Sequence, residues 1–304
     1  PSLNPHFEYW KEMICYGKDV VFANVLDYTL NNSAYIIIGT LVGSTSLGLF
    51  TFAYEKSMWV VSNITYPITM IVFPSFSRLQ NHPEKLQSVY YKTIKMLALV
   101  SFPYALAQII IGREFITLIF GNKWLPAVAM FQVILAYSMM RSIIQPGTPL
   151  LQGIGKPEIA MKWNLVFAPL YIGSIFLGFK LGGIHGITVA VATVGVTGGL
   201  IFMKIICRAN SWAYKQTISN LYPALICSLI MCIGIFPIKQ ILDSFSVPDI
   251  ITLFTVLNYG FILYIISLSV FFEKDFTEFI RDLKKFIPLN KFNLKRVKNA
   301  QEEA

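Results

Sequence analysis

Eight apolar windows of about 20 residues follow one another along this chain, near 14–38, 46–74, 89–111, 125–146, 160–179, 184–207, 217–237 and 250–272. A helix of that length crosses the hydrocarbon of a bilayer. No water-facing fold can absorb eight of them: of 304 residues 55% are hydrophobic and 13% charged, against about 25% charged in soluble domains. The ten-residue alternating segments of outer-membrane barrels are absent, and lipid leaves no backbone polar group unpaired, so each window is predicted to be a helix. The expected fold is all-α, a polytopic integral membrane protein of about eight transmembrane helices.

The distribution of basic residues sets an orientation. Eighteen of the 25 Lys and Arg fall on one side of the predicted membrane, including Arg78, Lys92, Lys95, Lys156 and Arg208; four fall on the other, Arg113, Lys123, Lys180 and Lys239. That asymmetry predicts both ends of the chain in the cytoplasm. The net charge of +9 is therefore a membrane-topology signal, and no nucleic-acid partner is expected. Residues 273–304 form a basic tail; Phe272, Phe276, Phe279, Ile280, Leu283, Phe286 and Ile287 recur at helical spacing, predicting an amphipathic helix on the lipid surface, with an ordinary solvated helix or a disordered tail as the alternative. The chain opens on Pro1 with no signal-peptide pattern and reads as the C-terminal portion of something longer.

Several chemistries are unsupported. Four scattered cysteines and three separated histidines make no metal pattern, so no metal or cofactor is expected. Nucleophile-elbow, zinc-protease, Walker A and dinucleotide-binding motifs are missing, which argues against an enzyme and against ATP-driven transport within this chain.

Charged and amide residues inside the spans are costly in lipid and mark where function would lie. In the first span Asn24, Asp27, Tyr28, Asn31 and Tyr35 form one polar stripe at about 100° per residue. Amides, phenols and a carboxylate suit the hydroxyls of a sugar; the same stripe would also serve as hydrogen-bonding glue against another polar helix. The second span contributes Glu55, Lys56 and Asn63, and the fourth Arg141. Treating 14–74 as a hairpin places Asp27 and Lys56 about 21 Å from the turn at 1.5 Å per residue, an expected ion pair at one depth. Prolines at 67, 103, 146, 169 and 223 predict kinks. The Gly39–Gly43 and Gly195–Gly199 spacings predict close helix packing.

Four segments carry a resemblance: YIIIGTLVGSTSLGLFTFAYEKSMWVVSNITYPITMIVFPSFSRLQNHPEKL (Tyr35 to Leu86), IFGNKWLPAV (Ile119 to Val128), QGIGKPEIAMKWN (Gln152 to Asn164) and GGIHGITVAVA (Gly182 to Ala192). Together they resemble the polysaccharide flippase branch, Wzx-like, of the multidrug/oligosaccharidyl-lipid/polysaccharide (MOP) exporter superfamily. That fold has fourteen helices in two six-helix bundles followed by two extra helices. The resemblance implies helices seven to fourteen: a lead-in over 1–13, a six-helix bundle over 14–207, two additional helices over 208–272 and the tail over 273–304. Ala34, Thr40 and Glu55 stand where the family would place other residue types, so the site residues above rest on this chain alone.

The function implied is flipping of undecaprenyl-type lipid-linked oligosaccharide across the bacterial inner membrane by alternating access, for surface polysaccharide or lipopolysaccharide biosynthesis. Implied partners are that substrate, membrane lipids, a coupling proton or sodium ion, the missing N-terminal bundle and glycan polymerase machinery. Two alternatives stay open: a multidrug ion-coupled antiporter of the same superfamily, and a non-transporting membrane scaffold or enzyme subunit.

Overall fold

The computed structural model describes residues 10–245 and 247–286. Among them every regular element is a helix: α1 (Trp10–Leu41), α2 (Ser44–Ser57), α3 (Tyr66–Arg78), α4 (Pro83–Phe120), α5 (Val128–Ile144), α6 (Gly147–Gly153), α7 (Pro157–Ala209), α8 (Tyr214–Ser219), α9 (Tyr222–Ser244), α10 (Asp249–Phe271) and α11 (Glu273–Phe286). Five stretches are long and apolar enough to cross a membrane, six when the bent pair α2 and α3 counts as one.

The longest of these is two spans in one. At 53 residues α7 would be about 80 Å long at 1.5 Å per residue, against a hydrocarbon core of about 30 Å. It folds back at Gly182 and Gly183, whose backbones are not helical; Gly183, at φ 55°, occupies the left-handed region that a side chain would strain. Residues equidistant from this break meet. Gly178 and Gly186 touch backbone to backbone, the Phe167 ring lies on Gly198, and Trp163 stacks on Phe202 at 5.9 Å. The arms 157–181 and 184–209 are thus an antiparallel hairpin that matches the fifth and sixth apolar windows. With α1, whose polar stripe lowers its hydropathy, the eight expected spans are all accounted for as helices.

The prolines act as expected at one place in particular. Pro67 lacks the N–H an interior helical turn needs, and the turn before it, Val61–Thr65, widens to π-helical geometry; the axis bends by 46° just upstream, between Ser57 and Val61. Hydrogen bonds on either side of the bend hold it to α5: Ser57 Oγ donates to the Phe131 carbonyl at 2.9 Å, and the Thr65 and Ser142 hydroxyls meet at 2.6 Å. In the Gly39–Gly43 pair Gly39 packs closely on the Leu47 side chain of α2, while Gly43 adopts φ 107° and turns the chain from α1 into α2; in the second pair Gly195 admits the Tyr137 ring.

Contacts define two ends. At one, Gly153 abuts Phe76 and Ser77, Lys156 donates to the Ala209 carbonyl at 2.9 Å, and Trp212 packs on Tyr90 and Tyr91. At the other, Trp124 stacks on Phe52 at 3.9 Å and Lys239 meets Glu114 at 3.1 Å. The hairpin of α9 and α10 joins the bundle chiefly along α4.

Helix α11 is strongly amphipathic, as its spacing predicts. It is also clasped to the bundle: Phe276 and Phe279 pack on the core, and Asp275 and Glu278 pair with Lys95, with Glu278 also 3.5 Å from Lys92. Ile287 and the basic residues beyond it lie outside the described residues.

Candidate functional site

A cavity of about 530 Å³ opens inside the bundle, between α1, α3, α5, α6 and both arms of α7. Its volume falls within the range of small-molecule sites. From α1 it receives Asn24, Asp27, Tyr28 and Leu30, and from α3 Tyr66 and Met70. The end of α5 and the connection beyond it supply Tyr137, Arg141, Gln145, Thr148 and Gln152. The first arm of α7 gives Trp163, Asn164, Phe167 and Tyr171; the second gives Phe202 and the glycines 195, 198 and 199.

Those glycines explain how the space arises. A Cβ on Gly195, Gly198 or Gly199 would sit within 2.6 Å of Tyr137, Phe167 or Met140, so only bare backbone lets large side chains lie flat along the second arm. The arm stays thin while its neighbours supply bulk and polarity.

The charged centre is the pair of Asp27 Oδ1 and Arg141 NH2 at 3.5 Å, with side chains 46% and 23% exposed. Tyr54, Tyr137 and Tyr171 stand within electrostatic reach of the guanidinium. The expected partner of Asp27 was Lys56, and here the structure corrects the sequence. Lys56 Nζ lies over the Phe120 ring, 5.3 Å from its centroid. The reason is angular. Tyr35 packs edge-on against both Phe50 and Tyr54, so that face of α2 meets α1, and Lys56 is rotated about 200° from Tyr54. Equal depth does not imply a shared face.

The other nominated residues divide in the same way. Asn24, Asp27, Tyr28 and Arg141 converge on the cavity. Tyr35, at the margin of the α1 stripe, packs between α1 and α2 instead, Glu55 is exposed on α2, and Asn63 turns its amide back to the Trp59 carbonyl at 2.9 Å. The Asn31 side chain lies outside the described residues. Sequence reading passed over the α7 walls and the amides Gln145 and Gln152. The sequence marks only part of this lining, through the QGIGKPEIAMKWN segment for Gln152, Trp163 and Asn164 and the Gly195–Gly199 spacing for the second arm. Among the described residues no cluster of three His, Cys, Asp or Glu could hold a metal ion.

Comparison with known proteins adds an independent line. Residues 1–129 match the family described as "Polysaccharide biosynthesis protein". The chain is 24% identical to the lipopolysaccharide biosynthesis protein WzxC of Escherichia coli K12, covering 68% of this chain and 42% of that protein. It is 27% identical to the teichuronic acid biosynthesis protein TuaB of Bacillus subtilis 168, covering 68% and 44%. The chain therefore spans less than half the length of these relatives. Among solved structures, the inward closed lipid II flippase MurJ superposes with TM-score 0.67 at 12% identity, over 90% of this chain and 57% of that one. An outward-facing multidrug resistance MATE family transporter of the MOP superfamily gives 0.55 at 13%, over 86% and 66%. The fold is similar to that of these two solved membrane proteins, and the sequence relatives are named for polysaccharide biosynthesis.

Proposed function

We propose that this chain, with its MOP-superfamily fold and polysaccharide-biosynthesis relatives, is part of a carrier that flips undecaprenyl-type lipid-linked oligosaccharide across the bacterial inner membrane by alternating access. The observation that carries the reading is the cavity itself. A helical membrane bundle with a partly open cavity of about 530 Å³ lined by amides, phenols and a partly exposed ion pair has a use for polar cargo, since each such group would otherwise oppose burial in lipid. Hydroxyl-rich glycan pairs with those donors and acceptors while its lipid tail stays in the bilayer. The second six-helix bundle that the resemblance implies supplies the other side of the transport path. The match to 57% of the flippase chain is the share that eight of fourteen helices would make.

In this reading the end bearing Lys92, Lys95 and Lys156 faces the cytoplasm, a proton or sodium ion drives the cycle, and the carrier delivers to glycan polymerase machinery. The role is transport rather than catalysis. A multidrug antiporter is the second reading, favoured by the MATE fold match. One experiment separates them. In inner-membrane vesicles containing the complete transporter, a fluorescent undecaprenyl diphosphate-linked oligosaccharide should become accessible on the opposite leaflet, and cationic drugs should not compete. Drug-stimulated ion flux without glycan movement overturns the flippase reading. Cysteine labelling tests orientation: Ser44→Cys and Ser244→Cys should react from outside, and outside reaction of His82→Cys inverts the topology.

A further inference from the structure

The cavity is built from residues of this chain and is partly open, with Tyr28, Tyr66 and Met70 exposed at its rim. Its α7 wall is aromatic: Trp163 stacks on Phe167 at 5.2 Å with planes 17° apart and on Phe202 at 5.9 Å with planes 21° apart, and Tyr171 continues the row from Phe167 at 5.6 Å. Beside this wall stand the carboxamides of Gln145 and Asn164, with Asn24 entering from α1. The charges balance, because the one lining carboxylate and the one lining guanidinium already face each other across 3.5 Å.

From this arrangement we infer that the cavity holds a subsite for one neutral pyranose unit, seated beside Trp163 and Phe167, which Phe202 backs, and read by the carboxamides. A pyranose is amphipathic. Its axial C–H groups present an apolar face to aromatic carbon, while its equatorial hydroxyls need both donors and acceptors, which a carboxamide supplies together and a lone charge does not. An acidic sugar would have to displace Asp27 from Arg141 or enter without a counter-charge, so the lining selects against a uronate. Asp27 and Arg141 then form a polar boundary to the subsite rather than its reading head. This inference rests on the glycan reading above and sharpens it to a sugar class and to a place within one bundle.

The test uses the complete transporter in nanodiscs, with N,N′-diacetylchitobiose and maltose as neutral probes and glucuronic acid as the charged one. In saturation-transfer NMR the ring C–H protons of a neutral probe should receive saturation, and glucuronic acid should give at least a fivefold weaker effect. Trp163→Ala should abolish the signal and Trp163→Phe should retain part of it. Gln145→Leu, which leaves the aromatic wall intact, should weaken binding about tenfold, whereas Trp59→Ala, outside the cavity, should change nothing. A folded transporter that gives no transfer to either neutral probe, or unaltered transfer after Trp163→Ala, overturns the subsite. If vesicles with the complete transporter still flip glycan under that result, the flippase reading stands without the subsite. Sugar binding by the transporter without glycan movement in vesicles leaves the subsite standing and removes the flippase reading.

Discussion

Two ion pairs within the bundle differ in burial. Glu114 on α4 and Lys239 on α9 meet at 3.1 Å with side chains 10% and 18% exposed, and Lys239 also donates to the Ile110 carbonyl at 2.7 Å. Asp27 and Arg141 meet at a looser 3.5 Å and open onto the cavity. The first pair has exchanged water for protein contacts, so each charge depends on the other. The second borders the cavity, and its Asp27 side chain is the most exposed of the four. Position explains the contrast: Lys239 fastens the α9–α10 hairpin to α4, whereas Arg141 and Asp27 border the space in which cargo would lie. One pair holds helices together, and the other is available to a transport cycle.

The buried pair should give the largest effect. Lys239→Ala would strand Glu114 in a site that is otherwise 8% exposed, and removing one partner of a buried pair typically costs about 3–5 kcal/mol. Lys239→Ala and Glu114→Ala should each lower the unfolding midpoint in detergent by many degrees. The double change Lys239→Met with Glu114→Leu should restore most of it, since an apolar pair of similar volume leaves no stranded charge. A double mutant no more stable than the singles would show that this pair is not the fastening described.

The cavity pair should behave the other way, with small effects on folding and large ones on export. Asp27→Asn and Arg141→Gln should each reduce glycan export about tenfold at equal protein level. Combined, they should show a coupling of about 1 kcal/mol in a double-mutant cycle. Lys56→Gln, on the Phe120 side of α2, should be additive with Asp27→Asn. Coupling of Asp27 to Lys56 in place of Arg141 would return the pairing to the one suggested by sequence depth.

These pairs also show what the sequence could and could not reveal. The spans were legible because hydrophobic thickness is written as run length, and even the break inside α7 appeared as a gap between windows at 180–183. Partners were not, because run length gives depth and says nothing of azimuth: Asp27 and Lys56 share a depth and face different neighbours. Glu114 and Lys239 escaped notice because the apolar windows stop at 111 and 237 while the helices continue to Phe120 and Ser244. Read as loop residues, they gave no reason to be paired. Trp163, Phe167 and Phe202 carry no charge or amide to mark them inside an apolar run, and the folded hairpin alone stacks them together. Half of the cavity is created by tertiary contact and has no local signature.

The weakest pairs are predicted at the clasp of α11, where Lys92 and Glu278 are 40% and 36% exposed and Glu278 also lies 3.8 Å from Arg281. Exposed pairs of this kind contribute about 1 kcal/mol or less, and salt screens them over a Debye length of about 8 Å at physiological ionic strength. The Phe276 and Phe279 contacts with the core do not depend on salt in that way. Lys95, which meets both Asp275 and Glu278 and is only 16% exposed, is the one member whose loss should be felt. Lys95→Ala should therefore raise amide exchange across residues 273–281 a few-fold, leaving the unfolding midpoint of the bundle unchanged. Raising salt from 0.1 to 1 M should reproduce part of that increase in the wild type and add little in Lys95→Ala. Equal salt sensitivity in both proteins would mean that α11 is held by its phenylalanines alone, and the ordering of buried pair, cavity pair and clasp would lose its last step.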